Sequence, residues 1–134
     1  MKQTILITLL FSFCIACSKD DDGGATNDSQ LVSGKWYFES NNGVEGQECD
    51  KICSIEFTSN GQFIIDAYGV GEEDCMHIYL MEGTYTVSGN TINVNVYGVT
   101  ASGTYNITNG LLITNGINPF DSSSNNTTYD KTPG

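Results

Sequence analysis

From residue 31 onward, apolar and polar residues alternate with a period of two, and no helical period is sustained. Residues 91–97 are the clearest case. Ile92, Val94 and Val96 fall on one face, and Thr91, Asn93 and Asn95 on the other. This is the pattern of a half-buried strand. Residues 54–57 set Ile55 and Phe57 against Ser54 and Glu56. Residues 62–68 set Phe63, Ile65 and Ala67 against Gln62, Ile64 and Asp66. Further strands are predicted over 34–40, 77–87 (bent at Gly83), 103–108 and 111–114. Asn60-Gly61, Ser88-Gly89-Asn90 and Asn109-Gly110 fall between these runs. Such pairs accept the positive φ of tight hairpin turns.

About seven to eight short strands in sequential hairpins predict an all-β fold, an antiparallel up-and-down meander. Closing that meander into a β-barrel removes its exposed edges. Residues 122–134 are polar, and the reading leaves two options for them. They hold a closing strand around 127–131, or they form a loose tail. Gly83-Thr84-Tyr85 and Gly103-Thr104-Tyr105 read as a local hairpin echo.

Ahead of residue 31 the pattern is different. Lys2 is followed by an apolar run over residues 4–15. That is shorter than the roughly 20 residues of a spanning helix and fits the core of a signal peptide. It ends in Cys14-Ile15-Ala16-Cys17, which resembles a lipobox with Cys17 as the diacylated residue. The expected organisation is a lipoprotein signal peptide over 1–16, then the lipidated Cys17 and an acidic flexible tether over 17–30. The barrel domain follows over 31–134. A lipid on Cys17 anchors a protein to a bilayer without spanning it.

The chain has 134 residues, a length for one folded domain. Five Lys, no Arg and sixteen acidic residues give a formal charge of −11. Phosphate recognition needs clustered cations, so nucleic acid is excluded as a partner. A polybasic membrane contact is excluded on the same ground.

Leu31-Val32-Ser33-Gly34-Lys35-Trp36 resembles the Gly-x-Trp opening of lipocalin-type barrels. Residues 57–63 (FTSNGQF) and 83–90 (GTYTVSGN) are similar to the next motifs of the lipocalin-like domains of small Bacteroidetes-type lipoproteins. The Cys-Ser-Lys-Asp-Asp-Asp start at Cys17 resembles lipoproteins of that type exported to the cell surface. The resemblance implies a lipocalin-like barrel with an apolar ligand site, no enzymatic chemistry and no cofactor. It also implies lipid anchoring at the outer membrane or cell surface of a Gram-negative bacterium. Trp36, Phe38, Phe57, Phe63, Tyr85 and Tyr105 are core candidates, and under this resemblance also pocket candidates. Two departures stand out. No Arg is available to stack on Trp36, and the chain is short for eight full strands, which points to an incomplete barrel or a small cavity.

Cys49, Cys53 and Cys75 remain once Cys14 and Cys17 are set aside. In an exported protein they predict one disulfide, from Cys75 to either Cys49 or Cys53. Closing such a loop stabilises by about 3 kcal/mol. A metal site is the alternative: Cys49, Cys53, Cys75 and His77 form a three-thiol, one-imidazole set suited to zinc or Cu(I). Two acidic loops, Glu45/Glu48/Asp50 and Glu72/Glu73/Asp74, read as solvated. Gly-x-Ser-x-Gly is absent, and no catalytic constellation is complete. Glu56 and Glu82 read as outward strand residues. The expectation is a non-enzymatic, lipid-anchored protein that binds a small apolar ligand or an extracellular partner. The competing reading is a structural or interaction module with a filled core and acidic contact loops.

Overall fold

The computed structural model describes residues 29–118 and 125–134. The expected signal peptide, Cys17 and nearly all of the expected tether lie outside the described residues.

Among the described residues nine strands follow one another: β1 (Lys35–Asn41), β2 (Val44–Glu45), β3 (Ser54–Phe57), β4 (Gln62–Val70), β5 (Cys75–Ser88), β6 (Thr91–Val96), β7 (Val99–Thr108), β8 (Leu111–Asn115) and β9 (Asn126–Asp130). Each barrel strand pairs with its neighbour in sequence, and β9 pairs back onto β1. The result is a closed antiparallel barrel of eight strands, with β2 a short flap on the end of β1. The chain is therefore long enough for full closure, because four of the eight connections are only two residues long. The tail supplies the last strand, so a loose tail is ruled out for Asn126–Asp130.

Three hairpin turns place successive positive φ angles on Asn42-Gly43, Tyr97-Gly98 and Asn109-Gly110. These twist with the strands and let the next strand pair at once. The Tyr97-Gly98 turn corrects the strand expected over 103–108, which starts at Val99. A tyrosine at positive φ is uncommon, so this turn carries no ordinary sequence signal. The Asn95 side-chain oxygen supports it by accepting the Gly98 N–H at 3.1 Å.

Inward residues build the core. Leu31, Trp36, Phe57, Phe63, Ile92, Val94, Val96 and Leu112 are almost wholly enclosed. Phe57 stands with its ring centroid 5.0 Å from those of both Phe63 and Tyr85. Gly83 and Gly103 give the hairpin echo a physical meaning. A Cβ on Gly83 would sit 2.1 Å from the Asn95 carbonyl oxygen, and one on Gly103 would sit 2.0 Å from that of Asn115. At both points the neighbouring strand crosses where a side chain would be. Only glycine permits this approach.

One end of the barrel is sealed. Leu31 folds beneath it, and Trp36 donates its indole N–H to the Leu31 carbonyl at 2.9 Å. Lys131, just past β9, places Nζ 3.5 Å from the Trp36 ring centroid. The cation expected to be missing for lack of Arg is thus a lysine, delivered by the closing strand. Cation–π attraction and the backbone carbonyls of Gly34 and Lys35 hold it there.

Candidate ligand cavity

The opposite end carries the β1–β2, β4–β5, β6–β7 and β8–β9 connections, and here the packing is incomplete. A cavity of about 240 Å³ lies between β1, β3, β4, β5, β8 and β9. Phe38, Ile55, Phe63 and Ile65 form its apolar wall. Ala67, a small residue on the inward side of β4, leaves the space that a larger side chain would fill.

Two β-bulges shape this end. In β1 the pairing with β9 jumps from Phe38 to Ser40, leaving Glu39 extra. The parity of β1 changes there, and Asn41 reaches the cavity. In β5, Ala67 pairs with Tyr79 and Tyr68 with His77, leaving Ile78 extra. Tyr79 borders the cavity, and Ile78 lies over Gly69, where a Cβ would be 2.5 Å from Ile78 Cδ1. Val70, Met76, Ile78 and Leu80 remain exposed along this hairpin.

The polar groups of the wall are mostly satisfied. Tyr129 meets Phe38 edge to face with centroids 6.2 Å apart. Its enclosed hydroxyl is shared with the Thr114 and Thr127 side chains, and burial pushes its pKa up to about 12. Cys53 accepts the Tyr68 N–H at 3.2 Å, and burial raises the pKa of its thiol. Asp66 is held from outside by Lys35 Nζ at 3.3 Å and His77 Nε2 at 2.9 Å. Asn41 Oδ1 is the exception: it is buried and has no hydrogen-bond partner among the described residues.

The structure divides the six aromatic pocket candidates. Phe38 and Phe63 line the cavity. Trp36, Phe57, Tyr85 and Tyr105 do not; they fill the core toward the sealed end. Alternation identifies inward residues, but not the level of the barrel at which packing stops. Asn41 and Tyr129 were missed because one depends on a bulge and the other on the closing strand.

Cys49 and Cys75 form the disulfide, with Cα atoms 5.3 Å apart, and Cys53 is the free thiol. This removes the metal alternative, since two of its ligands are bonded to each other. His77 is turned instead to Asp66 and to the Tyr68 ring at 5.1 Å. Among the described residues, no group of three or more His, Cys, Asp or Glu is placed to hold a metal. The disulfide brings the two acidic loops together around a cleft of about 300 Å³ that includes Glu48, Glu73 and Asp74. Glu45 is paired with Lys51. Glu56 and Glu82 flank Ile64 across three strands on the outer face, away from the cavity.

No curated protein matches the chain. A family model described as a lipocalin-like domain matches residues 32–113, from just before β1 into β8. The match spans more than half of the sequence and agrees with the closed up-and-down barrel, so the chain belongs to the lipocalin-like domain family.

Proposed function

We propose that this protein is a lipid-anchored lipoprotein of the outer membrane or cell surface whose barrel holds a small, largely apolar ligand without transforming it. The observation that carries the reading is the cavity of about 240 Å³ with its Phe38, Ile55, Phe63 and Ile65 wall. It exceeds the ~150 Å³ cavity that accepts benzene and falls below the ~300 Å³ at which drug-sized sites begin. Anchoring draws its support from Cys14-Ile15-Ala16-Cys17. The non-enzymatic reading rests on the cavity wall. Among the described residues its one carboxylate, Asp66, is engaged from outside, and burial raises the pKa of its one thiol, Cys53. The filled-core alternative loses ground to the cavity. A protein partner at this end is favoured by one feature, the exposed Val70, Met76, Ile78 and Leu80 beside the acidic loops.

The domain from Ser29 onward contains every barrel strand and the disulfide. Purified, it should bind an apolar fluorescent dye, and Ala67→Trp should abolish that binding while the circular dichroism of the barrel persists. Unchanged dye binding in Ala67→Trp would overturn the cavity reading. In the full chain, Cys17→Ala should end radiolabelled palmitate incorporation and release the protein from the membrane fraction. Retained label would refute the anchor.

A further inference from the structure

We infer that the cavity selects an uncharged molecule with a hydrogen-bond donor at one end and about one ring of apolar bulk at the other. An alcohol or phenol fits this description. The inference rests on the ligand-cavity reading above and adds the chemical class of the ligand.

Three observations converge. The first is Asn41 Oδ1, a buried carbonyl oxygen at the mouth with no partner among the described residues. A buried acceptor left unpaired is costly, and a donor supplied by a ligand removes that cost. The second is the absence of any Lys, Arg or His from the cavity lining among the described residues. A carboxylate or phosphate would enter without a counter-ion, against a chain of formal charge −11. The third concerns cations. That overall charge draws cations to the surface, but among the described residues the only carboxylate bordering the cavity is Asp66, already held by Lys35 and His77. A buried ammonium would therefore lack a free partner.

The neighbours of Asn41 reinforce this assignment. Tyr129, Thr114 and Thr127 satisfy one another, and Cys53 is engaged with the Tyr68 backbone. Among the described lining residues, Asn41 Oδ1 is the buried side-chain polar atom without a partner, and Phe38, Phe63 and Ile65 enclose the apolar part.

The test uses four molecules of matched size: 2-phenylethanol, ethylbenzene, phenylacetate and 2-phenylethylammonium. Their affinities for the domain from Ser29 onward are measured by saturation-transfer NMR and titration, with Asn41→Leu alongside. The alcohol should bind roughly tenfold or more tighter than either ion and tighter than ethylbenzene. In Asn41→Leu the alcohol should lose its advantage over ethylbenzene, while ethylbenzene still binds. That persistence separates lost selectivity from a lost fold. Phenylacetate or the ammonium binding as tightly as the alcohol would overturn the inference and leave the cavity reading standing. So would an alcohol preference that survives in Asn41→Leu. Failure of all four to bind, together with an unchanged response to Ala67→Trp, would overturn both.

Discussion

Replacing Cys49 and Cys75 together by Ala removes the covalent tie between the loop before β3 and the end of the β4–β5 hairpin. The bond joins residues 26 apart in sequence. The loop-entropy expression for that length gives about 12 cal/mol/K, or about 3.5 kcal/mol at 25 °C. The native loop has other holds that survive the change. Gly46 donates to the Glu39 carbonyl, Lys51 to that of Gln47, and Cys53 to that of Asp50. Lys51 also pairs with Glu39 and Glu45. The loss should therefore fall mainly on the unfolded state, which gains the freedom that the bond denied it. For a domain of about 100 residues, 3.5 kcal/mol corresponds to a fall in Tm of about 15 °C. Thermal and urea unfolding of the oxidised protein and of Cys49→Ala/Cys75→Ala would measure it. The urea m-value should rise, because the unfolded chain expands further. Cys53→Ala is the control and should cost only about 1 kcal/mol, the value of its contact with the Tyr68 backbone. A double variant melting within about 3 °C of the parent would refute the reasoning, since the β4–β5 hairpin would then already order that part of the unfolded chain.

Other expectations concern the two ends of the barrel. Tyr129 has a folded pKa of about 12 against an ordinary value near 10, so the unfolded chain loses this proton first. Stability is then complete below pH ~10 and declines by about 2–3 kcal/mol as pH rises toward 12. Chemical denaturation across that window should show the decline, and Tyr129→Phe should flatten it. Equal slopes in both proteins would refute it. Lys131→Met should cost about 1 kcal/mol through the lost cation–π contact with Trp36, and Lys131→Arg should restore most of it. Arg failing as badly as Met in urea titrations would show that this charge does not matter. Gly103→Ala drives a methyl into the Asn115 carbonyl and Ile117. It should destabilise by more than about 3 kcal/mol or prevent folding, judged by soluble yield and amide-proton dispersion, and a near-neutral result would show that β8 can move aside.

What was legible in the chain and what was not follows from the range over which each signal acts. Strand alternation and Asn-Gly turns are local. Ile55 and Phe57 face Phe63 and Ile65 wherever the hairpin is put, so the barrel wall could be read from the sequence. The pairing of Cys75 with Cys49 could not. It depends on how a loop outside the ladder lies against the far end of β5, and spacing alone left Cys53 equally eligible. The substitution of Lys131 for an arginine is similarly non-local, because β9 must close the barrel before its lysine can reach Trp36. The cavity is the hardest case. Strict alternation from Phe38 would direct Ser40 inward; the extra Glu39 brings Asn41 to the cavity instead. Strict alternation in β5 likewise gives no sign of Ile78 as an additional residue beside Tyr79. A bulge adds one residue to one strand without changing the composition of either, so each parity change is invisible until the partner's register is known. Both bulges lie at the unsealed end, where Ala67 leaves room and Asn41 Oδ1 stays unpaired among the described residues. The polar group that we assign to ligand selection is therefore placed by a break in the alternation that made the rest of the fold readable.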